Sequence, residues 1–217
     1  MPEPKHFIMV PNSEHSMATG IFMITPAIAA WCNRLLSNKP MPKFDWNIDH
    51  NSGEIVATML DDEPVHEAKV WWATSCGRGA DGIDRRDFRV LTLDPQLPED
   101  ATKCHCGVWS NGMCTNVKSF WQHKTLEAIT VNGKRTYSAN VAPPADGTWV
   151  AFLIDISYKN TRHDKEENHL PGFVPKDLNH KLEFTTEVSI MPNTFPYPGC
   201  GVDTSNGPPV PCLNTMV

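Results

Sequence analysis

Short apolar stretches separated by turn residues make up most of the chain after residue 43, which is the pattern of β-strands. Asn132-Gly133, between two of these stretches, is a strong signal for a two-residue hairpin. The predicted strands are 44–48, 54–60, 67–73, 87–93, 126–131, 135–141, 149–158 and 182–191. Such a series of strands predicts a mainly β protein, built as an antiparallel β-sandwich of the immunoglobulin-like type.

The first 39 residues have a different pattern. The apolar run at 7–10 predicts a strand, residues 11–16 predict a polar loop, and apolar positions that step by three and four then predict a helix. Pro26 is expected either to kink this helix or to begin its second half, with Thr25 as the N-cap. The face expected to pack against a sheet consists of Ile21, Ile24, Ile28, Trp31 and Leu35.

Residues 17–33 carry no charge, but this run is shorter than the roughly 20 residues that cross a bilayer, and Gly20 and Pro26 dilute it. We therefore expect no membrane span. The chain of 217 residues has a net charge of −6, and 19 prolines favour turns and edge strands over long helices. An acidic chain is not expected to bind nucleic acid. The sequence gives no indication of the oligomeric state.

Seven cysteines suggest an oxidising compartment, because most of them lie in loops. We expect a disulfide among Cys104, Cys106 and Cys114, with Cys76 as another candidate, and a second one between Cys200 and Cys212. The odd number leaves one cysteine free, paired between chains or without its partner. Because no signal peptide opens the chain, we expect it to be the C-terminal part of a longer secreted protein.

The Cys104-His105-Cys106 run could instead offer thiolates and an imidazole to zinc, with Cys114 nearby. The one-residue spacing is not the usual one for zinc, so disulfides are favoured and no metal or cofactor is predicted. His163, His169 and His180 are interpreted as scattered surface residues of a long loop at 160–179.

His15 is the candidate catalytic residue. It follows a predicted strand and precedes a predicted helix, which is the position of the general base in α/β-hydrolases, where the histidine is the last triad member along the chain. In that role it would take the proton of the nucleophile and return it to the leaving group. A loop histidine taken alone is more often a surface or hydrogen-bonding residue.

Several runs in the chain resemble elements of the PhoPQ-activated pathogenicity-related family, which includes secreted autocrine proliferation repressors. The run Val10-Pro11-Asn12-Ser13-Glu14-His15-Ser16 is similar to the family's "PNxxHS" element. The likeness continues, in family order, through Lys69-Val70-Trp71-Trp72-Ala73-Thr74, Arg86-Asp87-Phe88-Arg89, Trp149-Val150-Ala151-Phe152, Phe184-Thr185-Thr186-Glu187-Val188 and Phe195-Pro196-Tyr197-Pro198-Gly199-Cys200.

The resemblance implies an α/β-hydrolase-like domain followed by a β-sandwich, with His15 in the place of the hydrolase histidine. On this basis residues 1–39 are expected to be the remnant of the hydrolase-like domain, 40–191 the sandwich, and 192–217 a tail rich in Pro, Gly and Cys. The family's N-terminal half, with its serine elbow and acid, is missing, and the chain contains no Gly-x-Ser-x-Gly.

Two functions follow from this resemblance. The chain is expected to be the C-terminal region of a secreted proliferation repressor-like protein that binds a cell-surface or extracellular protein partner. The alternative is the C-terminal part of a secreted serine hydrolase with His15 as general base, inactive on its own without the missing nucleophile.

Overall fold

The computed structural model describes residues 6–14, 16–75, 77–78, 84–86, 88–93, 107–110, 113–159 and 181–193. This part of the chain is mainly β, and its strands pair antiparallel, as the sequence pattern predicts. In chain order the elements are α1 (Ile21–Leu36), β1 (Phe44–Asp49), β2 (Glu54–Met59), β3 (Val65–Thr74), β4 (Gly77–Arg78), β5 (Asp84–Arg85), β6 (Leu91–Leu93), β7 (Gly107–Ser110), β8 (Met113–Asn116), β9 (Gln122–Thr125), β10 (Ile129–Val131), β11 (Lys134–Asn140), β12 (Val150–Lys159), β13 (Lys181–Thr185) and β14 (Ser189–Met191).

Two larger sheets enclose the main core. One has the strand order β1-β2-β11-β10, and the other has the order β13-β12-β3-β9, with β14 also pairing with β12. Two small sheets, β6-β8-β7 and β4-β5, complete the described strands. The common core combines aliphatic and aromatic side chains of β2, β3, β11, β12, β13 and β14 with Ala30 of α1.

Strand β12 forms the centre of this core. All its residues from Val150 to Tyr158 are buried, and it pairs with β3 on one side and with β13 and β14 on the other. Phe152, Ile154 and Ile156 belong to the common core. The prediction that residues 149–158 form a central strand with a continuous apolar face is confirmed, since a strand buried on both faces needs such a run.

The Asn132-Gly133 hairpin is also confirmed. Both residues have positive φ, 51° and 76°, as the tight turn between β10 and β11 requires. The predicted strand at 182–191 is instead two short strands, and that at 126–131 begins only at Ile129. Strands β4, β5, β7, β8 and β9 have no counterpart among the predicted ones, because each has only two to four residues, too few to show a strand pattern.

The prediction of a strand at residues 7–10 is wrong. Residues 6–10 have no regular secondary structure, although Phe7 O accepts a hydrogen bond of 2.8 Å from Thr185 N. Met9 N donates to the Thr185 side chain, at 3.0 Å, rather than to a main-chain carbonyl. One of the two contacts thus goes to a side chain, so a regular ladder does not form.

The helix α1 forms as predicted and continues through Pro26 without a second N-cap at Thr25. The predicted packing face is wrong, however. The buried residues of α1 are Pro26, Ala27, Ala30 and Arg34, whereas four of the five predicted face residues, Ile21, Ile28, Trp31 and Leu35, are exposed and Ile24 is half-buried. Small residues allow the helix to approach β13 and the core closely, so they occupy the contact. None of the helices in the described ranges is long and apolar enough to span a bilayer.

Candidate functional site

The loop that precedes α1 is attached to the five-stranded sheet through Asn12. Its side-chain amide donates to Trp121 O at 2.9 Å, and its side-chain oxygen accepts from Trp121 N at 2.7 Å. Asn12 has a φ of 59°, in the left-handed region that asparagine tolerates better than most residues. The loop is therefore held next to the start of β9 by a side chain that satisfies both main-chain groups of one residue.

Glu14 organises the turn that leads into α1. Its carboxylate accepts hydrogen bonds from Ser16 Oγ at 2.6 Å and from Ala18 N at 2.7 Å. The hydrogen bonds from the side chain and backbone of Ser16 are the main reasons why the pKa of Glu14 lies below its usual value. The Glu14 carboxylate thus acts as a local cap and is ionised at neutral pH.

Gly20, the N-cap of α1, lies directly under the loop. A Cβ atom there would approach Ser13 Oγ to 2.6 Å and Val10 Cγ1 to 2.7 Å, closer than real Cβ contacts. A larger residue at this position would have to displace the side chains of Ser13 and Val10, so glycine allows the loop to pack closely on the helix start.

His15, the predicted catalytic residue, lies outside the described residues. Its neighbours Asn12 and Glu14 use their polar atoms in the contacts above, and the Thr19 hydroxyl donates to Asn12 O at 3.2 Å. In the described part of this loop, the polar side chains thus hold the turn together.

Of the other residues predicted to form disulfides or to bind a metal, only some lie in the part of the chain that the structure describes. Cys76, Cys104, Cys106, Cys200 and Cys212 lie outside the described residues, and so do His163, His169 and His180. Cys114 belongs to β8, and Cys32, on α1, is a free and half-buried thiol. In the described ranges, no three His, Cys, Asp or Glu side chains are arranged to hold a metal ion.

A buried carboxyl group was missed by the sequence analysis. Asp155, in the middle of β12, is 3% exposed, faces away from the common core and lies opposite Lys69 of β3. Trp71 Nε1 is 3.5 Å from its Oδ2 atom. Burial raises the pKa of Asp155 well above its usual value, and the nearby Glu183 carboxylate raises it further. The signal available in the sequence was the single Asp within residues 150–156, which are otherwise all apolar.

An open groove of about 440 Å³ lies between the start of β3 and the segment that joins β9 to β10. Its lining includes His66, Glu67, Leu126, Glu127 and Tyr137. Lys69 Nζ lies 2.8 Å from Glu67. Burial alone would raise the pKa of Glu67, but the hydrogen bond and charge of Lys69, with the charge of Lys181, lower it overall.

Strand β10 begins directly after this groove. It pairs only with β11 in the described part of the chain, so its other edge is unpaired. All three of its residues are exposed, with Ile129 at 48% and Val131 at 45%. Since alternate residues of a strand share one face, these two apolar side chains project side by side.

Comparison with known proteins gives a consistent result. Residues 1–89 match the family described as PhoPQ-activated pathogenicity-related protein. The chain is 30% identical over 201 residues to autocrine proliferation repressor protein A of Dictyostelium discoideum. This match covers 90% of the chain but 33% of the relative, so the chain spans about a third of the relative's length. No solved structure shows a significant match. The resemblance found in the sequence motifs is thereby confirmed: over residues 1–89 this chain is similar to the family described as PhoPQ-activated pathogenicity-related protein, and over most of its length it is similar to an autocrine proliferation repressor protein.

Proposed function

We propose that this chain is the C-terminal region of a secreted autocrine proliferation repressor-like protein, and that it acts in extracellular signalling by binding a protein partner. In this proposal the two main sheets form an immunoglobulin-like sandwich, and residues 1–39 are the remnant of an α/β-hydrolase-like domain. The role of the sandwich is recognition.

The unpaired edge of β10, continuous with the groove at residues 125–128, carries the proposal. An extended segment of a partner can add to such an edge through main-chain hydrogen bonds. Ile129 and Val131 offer it apolar contacts, and the groove, with Glu67 and Glu127, can receive a basic or polar side chain.

The loop before α1 supports a non-catalytic role. Asn12 and Glu14, which flank the predicted base, hold the loop against β9 and cap the turn. The relative's name, autocrine proliferation repressor protein A, supports a role in growth control.

A proliferation assay tests the proposal. The purified chain is added to growing Dictyostelium discoideum cells, since the relative comes from this organism, and cell density is followed. We expect slower growth with the wild-type chain and with His15→Ala, and loss of the effect in the double variant Ile129→Glu with Val131→Glu. Circular dichroism confirms that each variant is folded.

Two results would contradict the proposal. An inactive wild-type chain, or a double variant that is as active as wild type, would rule out signalling through β10. The alternative, a serine hydrolase with His15 as general base, is tested in the longer protein, where hydrolysis of p-nitrophenyl acetate that disappears in His15→Ala would favour it.

A further inference from the structure

The surface of α1 that faces away from the sheets carries large apolar side chains from its first turn to its last, with Thr25 as an exposed polar residue among them. Ile21, Ile28 and Leu35 follow one another at intervals of seven residues and thus lie on nearly the same side of the helix. They are 49%, 53% and 51% exposed, and Trp31, 37% exposed, lies beside them. We call these four residues the α1 outer face.

The opposite side of α1 is already packed. Ala27 and Ala30 are 5% and 1% exposed, and Arg34 pairs with Glu63, with its Nη2 atom 2.8 Å from Oε2. The outer side of a surface helix normally carries polar or charged side chains, so large apolar side chains along the outer side of α1 are typical of a helix that is buried on this side as well. We therefore expect the α1 outer face to be buried against another polypeptide surface.

We propose that the α1 outer face is covered by the polypeptide region of the repressor-type proteins that this chain does not match. The relative is about three times as long as the matched part, so most of it is available to provide the cover. The family match, residues 1–89, contains all of α1, so the apolar face belongs to the part of the chain shared with the family.

The chemistry of the face agrees with this occupant. The helix has no acidic residue, and its one basic residue, Arg34, is buried in the pair with Glu63. A charged ligand, such as a nucleic acid or an acidic peptide, would find no complementary group there. A folded polypeptide with an apolar surface of its own would bury Trp31 and the three aliphatic side chains as the centre of an interface.

Co-expression tests the proposal. The 217-residue chain is produced together with the region of the Dictyostelium discoideum relative that lies outside the match, and the soluble fraction is analysed by size-exclusion chromatography with light scattering. We expect a soluble one-to-one complex. If the region of the relative is insoluble when it is produced alone, its appearance in the soluble fraction on co-expression with the chain counts as evidence of the complex.

Matched variants assign the contact to the helix. Ile28→Glu and Trp31→Glu are each expected to weaken the complex at least about tenfold, as for central residues of an interface. Val117→Glu, which places the same charge at a 58% exposed apolar residue far from α1 in sequence, is the control and is expected to bind as wild type does. Circular dichroism of each variant alone verifies the fold.

Three outcomes would overturn the proposal. These are no complex with the wild-type chain, a complex that both α1 variants still form, or a homodimer of the chain that Ile28→Glu dissociates, which would assign the face to a second copy. The result is separable from the proposed signalling function, because the β10 double variant is expected to form the complex normally.

Discussion

Asn12 and Trp121 exchange two hydrogen bonds, of 2.9 and 2.7 Å, across 109 residues of sequence. Trp121 immediately precedes β9, which forms one edge of the five-stranded sheet. Phe7 and Met9 form hydrogen bonds with Thr185 of β13, the strand at the other end of the strand order. Residues 7–12 thus connect the two outer strands of this sheet, which fixes the loop that contains the family motif.

Replacing Asn12 by Ala is expected to lower the free energy of unfolding by about 2 kcal/mol, because two hydrogen bonds disappear and the main-chain groups of Trp121 lose their partner. Urea unfolding followed by tryptophan fluorescence measures this loss. Asn38→Ala is the control, since Asn38 is an exposed residue with a similar φ of 51°. Equal losses in both variants would show that the left-handed backbone, and not the contact with Trp121, accounts for the effect.

Replacing Phe152 by Ala is expected to lower the free energy of unfolding by about 3–5 kcal/mol, because it opens a cavity in the core around β12. Phe152 is fully buried. Val131→Ala, at an exposed apolar position, is expected to change stability by no more than about 0.5 kcal/mol. A loss below about 1 kcal/mol for Phe152→Ala would show that this face of β12 tolerates the cavity.

The Arg34–Glu63 pair predicts a pH dependence of stability. The hydrogen bond from Arg34 is the main reason why the pKa of Glu63 lies below its usual 4.5 in the folded chain. Because the folded pKa is lowered, this stabilisation is present above about pH 4.5 and decreases as the pH falls through the folded pKa.

Urea unfolding between pH 3 and pH 7 measures this dependence. Glu63→Gln is expected to be less stable than wild type at pH 7, with a difference that shrinks towards acid pH. Glu54→Gln, which changes an exposed carboxylate on β2, is the control. A difference between wild type and Glu63→Gln that is independent of pH would show that Arg34 does not act through the charge of Glu63.

Asp155 predicts the opposite pH dependence. Its pKa is raised in the folded chain, so the contribution of this carboxyl to stability is lost as the pH rises through the folded pKa. Asp155→Asn, which keeps the shape without the charge, is expected to be more stable than wild type at pH 8 and to lose this advantage at pH 4. A less stable Asp155→Asn at pH 8 would mean that the ionised carboxylate pairs with Lys69, its neighbour on β3.

The predicted disulfides remain to be tested by peptide mapping under non-reducing conditions. We expect one bond among Cys104, Cys106 and Cys114, with Cys76 as a further candidate, and one between Cys200 and Cys212, for which chain entropy predicts a stabilisation of about 3 kcal/mol. Cys32 is expected to react with iodoacetamide in the folded, non-reduced protein, since it is free. Stoichiometric zinc with free thiols at 104, 106 and 114 would contradict the disulfide interpretation.

The sequence by itself determined the elements whose pattern is local. The continuous apolar run of β12 identified a central strand, Asn132-Gly133 identified the hairpin between β10 and β11, and three- and four-residue spacing identified α1. The motif around His15 indicated the similarity to the PhoPQ-activated pathogenicity-related family that the comparison then found, although His15 itself lies outside the described residues. These features depend on neighbouring residues in the chain, so periodicity and turn chemistry are sufficient to find them.

Only the tertiary structure decided which side of each element is covered. Periodicity shows that α1 has a large apolar face, but Ala27 and Ala30 pack on the core because small side chains allow a close approach, and this leaves Ile28 and Trp31 outside. In the same way, Asn12 looks like any loop residue until Trp121 is placed beside it. Contacts between residues far apart in sequence depend on how the sheets assemble, and a local sequence pattern does not show which of these residues will meet.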